Sequence, residues 1–206
     1  MRKIFLTLSL FLISVWLCQA QDKIKNPKLQ AYIDSLFMVD QKVQWDIVSA
    51  YNRHHNQDSL KLLMELKEQT FKRHTLLIKH IYKENGYPST ESIGQESVEH
   101  FFLLIQHSDA DLDFQSEMLP VLKERSDLNL IKAQDYAFLY DRVHINKGEE
   151  QLYGTQVGYD KEGKAFSKRL KDPATVDERR KKLGMEKLQD YLTRTTALHK
   201  EMNKKN

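Results

Sequence analysis

Apolar residues recur at the three- and four-residue spacing of an α-helix along nearly the whole chain, and no proline- or glycine-rich linker separates these stretches. Each helix of that kind must bury one stripe against others, so the pattern predicts a mainly α-helical fold, one multi-helix domain over residues 21–206. Asn26-Pro27 reads as a cap followed by proline at the first helical position. Leu29, Ile33, Leu36, Val43, Ile47 and Tyr51 then form the stripe of a long first helix. A second spans residues 58–84, with Leu60, Leu63, Met64, Phe71, Leu77, Ile78 and Ile81 inward, and stops at Asn85-Gly86 with Pro88 beyond. A third, strongly apolar helix covers residues 95–106. Ser108-Asp109-Ala110-Asp111 reads as a capping box for a fourth, which uses Leu112, Met118, Leu119 and Leu122. A fifth covers residues 131–146 and closes at Gly148.

The period then changes. Residues 151–157, a turn at 160–163 and residues 165–167 read as one small β-hairpin. Thr175-Val176-Asp177-Glu178 is a second capping box, opening a helix that ends at Gly184, and a last helix starts near Met185.

The amino terminus carries a different signal. Met1-Arg2-Lys3 precedes an apolar run from Ile4 to Leu17, and Cys18-Gln19-Ala20 ends in a small residue. This is the layout of a secretory signal, so residues 1–20 are expected to be removed and the protein to be exported, to the periplasm or outside the cell. The run is shorter than the roughly 20 apolar residues that span a bilayer, so no membrane span is expected after cleavage. Leu17 before Cys18 disfavours lipid anchoring at that cysteine. Cys18 is the single cysteine. Its loss would leave no disulfide, thiolate nucleophile or cysteine metal site, and stability must come from the core.

Of the 32 basic residues, Arg2 and Lys3 lie in the leader, which leaves 30 against 29 acidic ones. That balance argues against a nucleic-acid partner, which selects a basic excess on one face. The basic runs at 168–171 and 179–182 have acids close by and read as solvated faces. No GxSxG, HExxH, phosphate-binding glycine loop or calcium-loop spacing is present. No metal and no cofactor is expected. His107 and Asp111, four apart, would supply only two ligands. His54, His55, His80 and His199 read as solvent-exposed.

What remains are polar residues interrupting apolar stripes, where burial without partners is costly. Asp40 stands between Leu36 and Val43, Gln115 between Leu112 and Leu119, and Arg142 shares a face with Phe138 and Leu139. His107 ends the most apolar helix. Asp141 and Arg142, being adjacent, cannot both face inward. In the hairpin region Gln151, Tyr153, Thr155 and Gln156 offer amides, a phenol and a hydroxyl around Gly154, which permits close backbone approach. Packed together, these groups suit a fold-fixing hydrogen-bond network or the floor of a polar pocket.

QHSDADLDFQ at 106–115, DRV at 141–143, NKGEEQLYGTQ at 146–156 and VDERR at 176–180 resemble a bacterial domain family of unknown function, marked by QHxD, DRV, GxxQxYGTQ and VDxRR segments. Asp40-Gln41 and Gly86-Tyr87-Pro88 also resemble its amino-terminal half, although Tyr87 replaces a more usual tryptophan and Gln44 stands near an arginine of the family pattern. The resemblance covers nearly all of the mature chain. It implies no activity, only positions: His107, Asp109, Gln115, Asp141, Arg142, Gln151, Tyr153, Thr155 and Gln156.

Three functions fit these residues. In a binding module, Arg142 would hold a small polar or anionic ligand oriented by Gln115, Gln156 and Tyr153, with Asp40, His107, Gln151 and Thr155 completing the pocket. In a hydrolase-like enzyme, His107 would be the general acid or base, oriented by Asp109 or Asp141. In a structural envelope-interaction protein, the network would serve the fold.

Overall fold

The computed structural model describes residues 24–53 and 56–203. The leader and His54-His55 lie outside the described residues. Among the described residues, eight α-helices and one two-stranded antiparallel sheet follow in order, so the fold is mainly α, as the periodicity predicts.

Helices α1 (Pro27–Asn52) and α2 (Gln57–Asn85) form a long antiparallel pair. Asn26 caps the first, accepting the Leu29 N–H at 3.1 Å, and Asn56 caps the second, accepting from Ser59 at 2.8 Å. After α2 ends at Gly86, a short turn of helix, α3 (Thr90–Ile93), which the periodicity missed, leads into α4 (Gln95–Gln106). Helix α4 is the hub. Its Val98, Phe101, Phe102, Leu104 and Ile105 are buried against α1, α2 and α6 (Ala133–Asn146), and α5 (Leu112–Asp127) packs along α6.

Length decides where burial stops. Twelve residues of α4 span about 18 Å at 1.5 Å per residue, whereas α1 and α2 run about 40 Å. Past Gln106 the paired helices lose the cover of α4. Tyr51 (64% exposed) and Met64 (58% exposed), expected inward from their stripes, are therefore on the surface.

Five other expectations are corrected. Asp111 alone caps α5, accepting from Phe114 N at 2.9 Å, while Ser108 Oγ donates to the Leu104 carbonyl. Strand β1 is only Val157–Tyr159, paired with β2 (Ala165–Ser167); residues 152–156 are not strand, because their N–H groups turn elsewhere, as described below. Thr175 caps nothing in α7 (Val176–Lys182); its hydroxyl accepts from Arg179 instead. Helix α8 starts at Leu188, where Asp177 of α7 accepts its first N–H at 2.8 Å. His80 is exposed as expected, but His199 stacks on Tyr159 with ring centroids 3.7 Å apart.

Candidate functional site

The structure sorts the polar candidates into two groups on different sides of α6. Asp141 and Arg142 are consecutive and so point about 100° apart on a helix. Asp141 faces inward, fully buried, and Arg142 lies on the half-buried flank.

Asp141 organises the first group. Its carboxylate accepts from the backbone N–H of Leu152 (2.8 Å), Tyr153 (3.1 Å) and Thr155 (2.9 Å), and from the Thr155 hydroxyl (2.9 Å). The carbonyls of the same segment face cations: Arg179 Nε donates to Leu152 O and Arg180 Nη1 to Tyr153 O, both at 2.7 Å, and the Tyr191 hydroxyl donates to Thr155 O. Gln151, fully buried, closes the loop by giving its amide N–H to Gln156 O and Lys168 O and accepting from Gln156 N. Gly154 (φ +73°) is required there, because a Cβ would lie 2.7 Å from Leu188. Nearly every peptide group from Leu152 to Gln156 is thus tied to a side chain. Burial pushes the Asp141 carboxyl up and the Arg180 guanidinium down, and each is partly offset by these partners.

Tyr153 packs edge-on against Tyr136 and Tyr140, at 6.4 and 6.0 Å between centroids, and burial raises its phenol to about 12. Spacings near 6 Å mean the rings pack on one another and leave no cage between them. Arg179, Arg180 and Tyr191 were not among the sequence candidates for this loop. VDERR is a charge-rich segment that periodicity reads as surface, yet Arg180 is 1% exposed.

The second group lies where α4 ends. Asp40, 1% exposed on α1, meets His107, whose Nδ1 is 2.9 Å from both carboxylate oxygens. Gln41 and Gln44 donate to the same carboxylate at 2.9 and 3.2 Å, so two amides and the imidazole supply its partners. A carboxylate can only accept, so Nδ1 is the donor of this pair, and in the neutral imidazole Nε2 is then an acceptor with no partner among the described residues. The ring lies flat against Phe71 of α2, 5.1 Å between centroids and 3° from parallel. Neither Asp109 nor Asp141 orients His107; Asp40 holds that position.

Asp109 instead takes Arg142 in a two-pronged pair, Nε to Oδ1 at 2.6 Å and Nη2 to Oδ2 at 2.5 Å. Asn146 and Gln115 donate to it as well, at 3.1 and 3.3 Å. Burial alone would raise this carboxyl, but the Arg142 bonds and charge bring it below the usual aspartate range. Arg142 is therefore already paired with a carboxylate. Gln115, fully buried, also donates to the carbonyls of Ile105 and Gln106, and its Oε1 has no hydrogen-bond partner. Those carbonyls lock the amide orientation.

His107, Asp109 and Ala110 form one wall of an open groove of about 350 Å³. Ile47 of α1 and Met64, Lys67, Glu68 and Phe71 of α2 complete it. The groove exists because α4 stops while α1 and α2 continue. Two other depressions, around Trp45 and around His80 and Lys83, contain none of the sequence candidates. Behind the groove His74, 6% exposed, has an unpartnered Nδ1, and burial lowers its proton affinity against the opposing charge of Asp40. Among the described residues, no cluster of three or more His, Asp or Glu is placed to hold a metal ion.

A second Asp–His pair, invisible to the stripe argument, joins α1 to α4 lower down. Asp34 accepts from Ser97 at 2.7 Å and contacts His100 Nδ1 at 2.8 Å, with His100 stacked on Phe37. The signal was present: Asp34 lies six residues before Asp40, and His100 lies seven before His107.

Fold and groove together describe a mainly α-helical protein in which the Asp40-held His107 at a concave surface stands apart from an arginine-clamped loop. The chain belongs to a family of unknown function, DUF6624, whose model matches residues 27–199. No curated protein and no solved structure matches it. No described helix is long and apolar enough to cross a membrane.

Proposed function

We propose that the protein is exported, processed after Ala20, and binds a small polar ligand in the groove at the end of α4. One observation carries this reading: Asp40 holds the His107 imidazole by Nδ1 beside a groove of ligand size, and Nε2 has no partner among the described residues. An oriented acceptor of that kind selects a ligand hydroxyl or N–H. Phe71, Ile47 and Met64 supply apolar contact for the rest. Arg142 acts by holding Asp109, and the Gln151, Thr155 and Gln156 side chains act by holding the loop.

The test is ligand-observed NMR with a library of neutral and charged fragments on residues 21–206, repeated on His107→Phe. Fragments that bind wild type and are lost from a folded His107→Phe protein are the expected result. A library with no binder that responds to this substitution would sink the assignment.

The Asp40 contact favours a second reading, His107 as a general base activating water. Turnover of an ester or amide panel by wild type, abolished in His107→Gln with an unchanged melting temperature, would move the assignment from binding to catalysis.

A further inference from the structure

The charges around the groove are unevenly matched. Glu68 is neutralised by Lys72, 2.6 Å away, and Asp109 by Arg142, while the Asp40 carboxylate lies buried behind His107 rather than at the groove surface. Lys67 has no carboxylate within salt-bridge distance among the described residues; its ammonium lies 5.2 Å from the centre of the Phe71 ring. The same ring stacks on His107. Phe71 therefore touches both the His107 imidazole and the Lys67 ammonium, and all three line the groove.

We infer that the ligand of this groove is an amphipathic anion: an apolar, ring-sized body with a hydroxyl or N–H at one end and one negative group at the other. This rests on the groove being the ligand site, and adds the charge and shape of what it takes. The body lies along Phe71 and Met64, the donor meets His107 Nε2, and the negative group meets Lys67. At about 30 Å³ for each water-sized group, the groove volume admits about a dozen non-hydrogen atoms. Lys67 supplies what the sequence assigned to Arg142. Lys67 lines the groove, half-buried and with no carboxylate partner among the described residues, whereas Arg142 would have to give up two bonds to Asp109.

Three probes that share one body separate the possibilities: 4-hydroxyphenylacetate, 4-hydroxyphenylacetamide and tyramine, which carry an anion, a neutral amide and a cation. Each is titrated into the ¹⁵N-labelled protein, residues 21–206, and into Lys67→Met and Lys67→Arg. The expected result is saturable shifts at Ile47, Phe71 and Ala110 amides. The acid should bind about fivefold more tightly than the amide, the size of one partly exposed charge pair. That preference should disappear in Lys67→Met and return in Lys67→Arg, and should weaken with added salt. Equal or tighter binding of the amide or tyramine at the same amides overturns the anion and leaves the groove assignment standing. Shifts confined to other parts of the protein, or no saturable shift with any of the three, overturn the inferred ligand. The groove assignment itself then stands or falls on the wider fragment library.

Discussion

Asp40 is buried on α1 between Leu36 and Val43, where a carboxylate needs a partner. The partner is His107, 67 positions away, because the α1–α4 packing brings a helix end against a helix middle, a relation that no local spacing encodes. A one-residue choice between Arg142 and Asp141 decides which side chain reaches the interior, and the apolar pattern of α6 is too broad to make that choice. Asp40→Asn keeps the shape but places an amide N–H₂ or a weaker acceptor against Nδ1. It should cost about 1–3 kcal/mol, the usual penalty for disturbing a buried, charge-assisted bond, as read by urea unfolding.

Asp135 carries a separate expectation. It lies in the first turn of α6, 8% exposed, and burial raises its carboxyl to about 7, with Lys132 opposing and Glu99 adding to the shift. An unfolded aspartate titrates near 3.9, so between those values the folded state binds the extra proton. The contribution of Asp135 to stability is then greatest below pH 4 and is lost as pH rises to about 7. Asp135→Asn should therefore gain on wild type as pH rises, by up to about 4 kcal/mol at pH 8 from the full difference in proton affinity. The two should be nearly equal at pH 3. Denaturation curves at both values check it; a constant difference would show that Asp135 does not titrate in that window.

At the scale of elements, the long helices were legible in the sequence and the loop was not. Helices α1, α2, α4 and α6 each bury a stripe, and stripes are what periodicity detects. Residues 151–157 read as a strand, yet the N–H groups of Leu152, Tyr153 and Thr155 are taken by Asp141 and the carbonyls of Leu152 and Tyr153 by Arg179 and Arg180. Over residues 152–155, side chains thus replace a partner strand, which no local pattern announces. Since Asp141 accepts four bonds, Asp141→Asn turns an amide N–H₂ toward donors. Its cost should be about 3–5 kcal/mol, as for a buried charge network that loses one member, and hydrogen exchange at Tyr153 and Thr155 should rise above the limit set by global unfolding, through local opening of the loop. Protection that persists at those two amides would contradict the clamp.

The whole molecule is assembled from unequal lengths. A short α4 between two long helices makes a core at one end and leaves an unfilled cleft at the other, and the cleft is where the oriented histidine lies. Filling it should be cheap for the fold and costly for binding. Ala110→Trp, at an exposed wall position, should shift the melting temperature by no more than a few degrees while removing fragment binding. If the Ala110→Trp protein still binds every fragment, the ligand lies elsewhere. The sequence could not show this cleft, because it depends on where α4 ends relative to α1 and α2, and the helix count alone says nothing of that offset.

Binding at this cleft turns on the state of one imidazole. Long-range ¹H–¹⁵N correlation spectra of His107, taken at pH 8 with and without a saturating groove ligand, read it directly. The expected spectra show the proton on Nδ1 in the free protein, an Nε2 resonance that moves when the ligand is added, and loss of the tautomer preference in Asp40→Asn. A proton found on Nε2, or an Nε2 signal indifferent to the ligand, would contradict the assignment of His107 as the oriented acceptor.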